Sequence, residues 1–181
     1  MTIRRGAGVA ALLAAMMAFA APLPVRADAA ADIFAGFQAK STDPVQVDAD
    51  SLEVFEEGKQ RISQFSGGVT VRRGNTLLKA GMIKLYSNLD AKAADAFTRI
   101  EASGKIYVSS GDQTVTGSSA VVDMVSNTIT VSGGVVLSQG ANVISGSRLV
   151  VNLTTGRARV EQEAGKQIRG VFSPGGANSG Q

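Results

Sequence analysis

Ser66-Gly67-Gly68-Val69-Thr70-Val71 is answered by Ser103-Gly104-Lys105-Ile106-Tyr107-Val108, and again by Ser132-Gly133-Gly134-Val135-Val136-Leu137. In each unit a second glycine follows the first at the same distance: Gly74 after Gly67, Gly111 after Gly104, Gly140 after Gly133. A small residue comes next (Ala80, Gly117 or Gly146), and then an alternating apolar run. That run is Ile83 and Leu85, then Ala120, Val122 and Met124, then Leu149, Val151 and Leu153. Two turns and two strands per unit, kept in phase by glycine, predict stacked hairpins. The first interval exceeds the second by the length of one loop, Leu89 to Ala96 (LDAKAADA). Insertions of that kind sit at the surface and leave the ladder intact.

Working outward, Asp43-Pro44 opens the fold. Val45, Val47 and Ala49 alternate with Gln46, Asp48 and Asp50, and Leu52 and Val54 continue the pattern with Glu53 outside. A strand that begins just after a proline is one of the few places a sheet tolerates it. Glu56-Glu57-Gly58-Lys59 reads as a polar turn leading into the first unit, and Arg157 to Phe172 supplies the last strands. Within the units one parity is apolar: Phe65, Val69 and Val71, then Ile106 and Val108, then Val135 and Leu137. The other parity is polar, as at Lys84, Asp123 and Asn152. A sheet with one dry and one wet face is antiparallel and must cover the dry one.

The flanks read differently. Residues 1–27 have the form of an export signal: Arg4 and Arg5 in front, an apolar stretch from Val9 to Ala21, and Val25-Arg26-Ala27 as the cleavage site. The apolar stretch is shorter than the ~20 residues that span a bilayer. Residues 28–42 are expected to be a flexible arm, 43–172 the folded domain and 173–181 a low-complexity disordered tail. With Arg4, Arg5 and Arg26 removed, basic and acidic residues balance at 15 each. A neutral surface gives no electrostatic reason to expect nucleic acid as a partner.

Enzymatic chemistry finds little to work with. There is no His and no Cys, so a hydrolytic triad lacks its base and the usual transition-metal ligand sets cannot be assembled. Asp48 with Asp50, and Glu56 with Glu57, read as solvated surface acids. Gly67-Gly68 and Gly133-Gly134 precede no helix, so a phosphate cradle lacks its context. The expectation is a protein that is no enzyme, with no cofactor and no metal. What remains is the apolar face. With 44 % hydrophobic but only 5 % aromatic residues, two facing sheets about 10 Å apart can form a solid core or, if they splay, a groove for hydrocarbon. A groove would gain roughly 0.8 kcal/mol per buried methylene.

Asp43-Pro44-Val45-Gln46-Val47, Leu52-Glu53-Val54, the run from Phe65 to Gly74 and Gly165-Lys166-Gln167-Ile168 together resemble the LptA/OstA-like family, over about residues 43–172. The resemblance implies an all-β fold, an open twisted antiparallel β-jelly roll. It implies a periplasmic carrier of lipopolysaccharide that shields the acyl chains of lipid A. Implied partners are the inner-membrane anchored and outer-membrane components of the transport machinery, and further copies joined head to tail. By the same resemblance Val45 and Val47 touch the lipid, and Phe65, Val69, Val71, Ile83 and Leu85 line the adjoining interior. The groove is extended on the same parity to Leu52, Val54, Ile106, Val108, Val122, Val135 and Leu137. Arg72 and Arg73 are candidates for a phosphate contact. The anchored partner of the same system shares this fold and is the first alternative; a structural β-solenoid or adhesin-like protein with a solid core is the second.

Overall fold

The structure, a computed structural model, describes residues 33–34, 43–90 and 97–173. Ten strands form one sheet. They are β1 Gln46–Asp48, β2 Ser51–Glu57, β3 Gln60–Arg73, β4 Thr76–Asn88, β5 Phe97–Ser110, β6 Gln113–Asp123, β7 Thr128–Gln139, β8 Asn142–Asn152, β9 Ala158–Glu161 and β10 Arg169–Val171. From β3 to β8 each strand pairs antiparallel with the next. Both β1 and β2 pair with β3 at one edge, and both β9 and β10 with β8 at the other. The two edges do not meet, so the sheet stays open. The all-β antiparallel roll expected from the alternation is the fold observed. The export signal and nearly all of the tail lie outside the described residues, as does the loop from residue 91 to 96.

One expectation needs correction. The Ser-Gly-X words are not turns between short strands; they lie in the middle of long ones. Register shifts fall between Ser66 and Val69, between Ser103 and Ile106, and between Ser132 and Val135. At each, two successive residues take positive φ: Gly67 and Gly68 (+85°, +66°), Gly104 and Lys105 (+76°, +52°), Gly133 and Gly134 (+84°, +69°). An extra residue on one strand of a pair bends it and sharpens its twist. Repeated from strand to strand, the bulges make a crease that divides the sheet into two halves. One half holds β2, β9 and the ladder from Phe65↔Ile83 to Val131↔Leu149. The other holds β1, β10 and the ladder from Val71↔Leu78 to Leu137↔Ile144.

The second glycine of each unit is a true turn. Gly74, Gly111 and Gly140 carry φ of +54°, +58° and +53°, and no positive φ follows at Asn75, Asp112 or Ala141. Glycine first and an ordinary residue second is the two-residue type II′ hairpin, whose twist matches the strands it joins. The opposite strand ends use a different device. Asn88 Oδ1 accepts the Asp90 N–H at 3.0 Å, Asp123 Oδ1 those of Val125 and Ser126 at 3.0 and 2.8 Å, and Asn152 Oδ1 those of Thr154 and Thr155 at 3.0 and 2.8 Å. One short acceptor thus initiates the loop after β4, β6 and β8 alike.

The core lies between the two half-sheets. Val69, Ile106, Val108, Val115 and Val135 from one half meet Ile83, Ile129, Val131, Leu149 and Val151 from the other in a single buried cluster. Two members come from neither half. Ile33 and Phe34, which the sequence reading places in the arm ahead of the domain, are inside it.

Candidate functional site

The space between the half-sheets is filled unevenly. From β1 and β3 across to β7 it widens into an apolar trough of about 340 Å³, within the size range of small-molecule sites. One wall is Phe65, Ile83, Leu85, Ile100, Ala102, Ala120, Val122 and Ile129, and the other is Val45, Val47, Val71, Leu78 and Val108. Phe34, Phe97 and Met124 complete it, and among the described residues Arg73 is its only charged lining residue. Beyond Ile129, toward β8 and β9, the half-sheets close on one another, and Val151 is wholly buried. Val115, Val131 and Leu149 are wholly buried there.

The predicted lining divides accordingly. Val45, Val47, Phe65, Val71, Ile83, Leu85, Val108 and Val122 line the trough. Val69, Ile106 and Val135 are buried in the closed cluster, with Leu137 packed against it. Leu52 and Val54 sit on the edge strand β2, opposite Phe65 and Ser63, and are more than half exposed. Leu78 and Ile100 escaped the sequence reading, although each had a signal. Ile100 continues the parity of Ala102, and Leu78 lies two before Ala80, ahead of the apolar run of Ile83 and Leu85.

The two arginines part company. Arg72 points away from the trough and is paired with Asp48 at 2.8 Å. Arg73 lies on the inner face and its Nε donates to the Asp43 carbonyl at 3.0 Å. Glu56 is likewise paired with Arg61 at 3.0 Å. Among the described residues no group of three acids, His or Cys could hold a metal ion. On the outer face Ile62 is buried, with Phe55 and Tyr86 as its cross-strand neighbours. Burial, together with the hydrogen bond that Tyr86 donates to Glu101 at 3.1 Å, raises the Tyr86 hydroxyl above its usual 10.0. Among the described residues the lining of the trough includes no carboxylate and no Tyr. Its walls offer desolvation and shape, which suit a hydrocarbon guest.

The family model for the LptA/(LptD N-terminal domain) LPS transport protein matches residues 46–157. An uncharacterised protein of Rhizobium meliloti (strain 1021) is 35 % identical over 128 residues, covering 68 % of this chain and 65 % of that protein. Among solved structures the fold is similar to LptH of Pseudomonas aeruginosa, described as the LptA-homologous periplasmic component of the lipopolysaccharide transport device. The TM-score is 0.61 at 17 % identity, over 76 % of this chain and 100 % of that one.

Proposed function

Since the chain belongs to the LptA/(LptD N-terminal domain) family of LPS transport proteins, we propose that it is a periplasmic carrier that holds lipopolysaccharide by the acyl chains of lipid A. The trough is the observation that carries this reading. It is lined from the edge strand β1 inward, almost wholly apolar, and bounded by both half-sheets. A solid-core structural protein would have no use for it. At roughly 0.8 kcal/mol per buried methylene, even part of one acyl chain would be held against return to water.

The edges supply the route onward. Each end of an open sheet presents unpaired backbone donors and acceptors, which invite another strand. The β1–β2 edge also exposes Val45, Leu52 and Val54, and the β10 edge exposes Ile168, Val171 and Phe172. Copies joined edge to edge, and joined in the same way to membrane-bound partners of the machinery, would extend one trough into the next. Lipid would then cross the periplasm without leaving an apolar lining.

Val47 is the position to test, since it lines the trough on the edge strand β1. A photo-cross-linking residue at 47 is expected to trap lipopolysaccharide, and one at the outward Lys84 is not. Equal adducts at both, or none at 47, would refute the carrier.

A further inference from the structure

Two side chains of the buried cluster around the trough come from outside the sheet. Ile33 and Phe34 are 0 % and 2 % exposed, they share one buried cluster with Val71, Ile83 and Val108, and Phe34 lines the cavity itself. Neither belongs to a strand; the first ladder begins only at Gln46. Side-chain burial holds them in the cluster. That force is non-directional and proportional to apolar area, and it is the same force that would hold a hydrocarbon chain in the same place. The roughly 340 Å³ of the trough is what Phe34 leaves free, and interiors are close-packed, so a guest that needs more than that space competes with the pair by volume.

We infer that Ile33 and Phe34 are a tethered occupant of the trough, which an acyl chain displaces as it binds; this rests on the reading of the trough as the lipid A site. The pair acts as a built-in competitor. Apparent affinity is the intrinsic affinity scaled by the fraction of molecules whose trough is vacant. It also spares the lipid-free protein a contiguous apolar opening, the kind of surface that promotes association with wrong partners. A pair that merely completed the core would instead stay in place when lipid arrives, and removing it would weaken binding.

The chain contains no Trp, so Phe34→Trp in the full chain reports on this one position. Without lipid its emission is expected at the short wavelength of a buried indole, moving to the solvent value when purified lipopolysaccharide is added. In parallel, Ile33→Ser combined with Phe34→Ser, in a chain carrying the cross-linker at 47, is expected to lower the half-saturating lipopolysaccharide concentration about tenfold. Solvent-like emission before lipid is added would overturn the plug. So would adducts at 47 with unmoved emission, or a double variant that needs more lipid than its parent. Absence of adducts in both parent and double variant would bring down the carrier reading itself, and the plug with it. Adducts without displacement would bring down the plug alone.

Discussion

The two ends of the sheet are written in the same repeated unit, yet one is open and the other closed. Toward the β1–β2 end Phe65, Leu85, Ile100 and Val122 are only half-buried and line a trough. At the β8–β9 end Leu149 and Val151 are 0 % exposed, and the half-sheets touch. Residue size at the crease accounts for much of this. The second and third units place Gly117 and Gly146 where the first has Ala80. A Cβ at Gly117 would meet Val131 Cγ1 at 2.7 Å, and one at Gly146 would meet Val160 Cγ1 at 2.5 Å. Those glycines let valines from the facing half reach into the crease and seal it. In the first unit no such glycine invites them in. Alternation decides which side chains face inward; their sizes decide whether the interior is wall or filling.

The largest effect expected from this contrast is on stability. Leu149→Ala should cost about 2.7–5.0 kcal/mol, the range for leucine truncation in a packed core. Leu52→Ala, on the exposed edge, should stay within about 0.5 kcal/mol, as surface changes do. Urea unfolding of the two variants checks both at once. Similar losses at 149 and 52 would mean that the two ends are packed alike and the contrast is false.

How much of this could be read in advance follows the same division. Inward parity was legible: Phe65, Val71, Ile83, Val108 and Val122 all point into the space between the half-sheets. The crease was not. From Gly117 to Ala120, and from Gly146 to Leu149, the inward register moves by an odd step. That step fits a turn and a bulge equally well, and both favour glycine at positive φ. The unequal filling was hidden as well, because it depends on which valines meet across the crease, a contact remote in sequence. Phe34 carried no strand pattern at all. A short apolar pair among alanines looks the same whether it is loose or buried.

A smaller effect separates the middle crease from the other two. Gly68 and Gly134 adopt φ of +66° and +69°, and Lys105 is forced to +52° in the equivalent place. Left-handed backbone costs a side-chain-bearing residue roughly 1–2 kcal/mol. Glycine removes that strain but loses about 0.5–1 kcal/mol through its freer unfolded chain. Lys105→Gly should therefore stabilise by about 0.5–1 kcal/mol, measured as a higher urea midpoint at an unchanged slope. A lower midpoint would mean that the lysine contributes something its glycine counterparts lack, and that the three creases are not equivalent.

The smallest effect concerns the loop caps, where Asp123 and Asn152 do the same work with and without charge. Each accepts two backbone N–H groups through Oδ1. The hydrogen bonds from Ser126, and then that from Val125, hold the Asp123 carboxyl below its usual 3.8. A carboxyl depressed on folding contributes stability that is fully present above its unfolded value and is lost as pH falls through the folded one. The loss at Asp123 must therefore begin only below about pH 4, and Asn152 must show none. Asp123→Asn keeps the Oδ1 acceptor and removes the proton. Its stability relative to the parent should be lower at neutral pH and should recover toward the parent as the pH is taken down through the carboxyl range. Because the group is exposed, salt and solvent screen it and the difference will be modest. A variant whose offset from the parent is the same at every pH would show that the charge is idle and that Asp123 caps its loop as Asn152 does, by geometry alone.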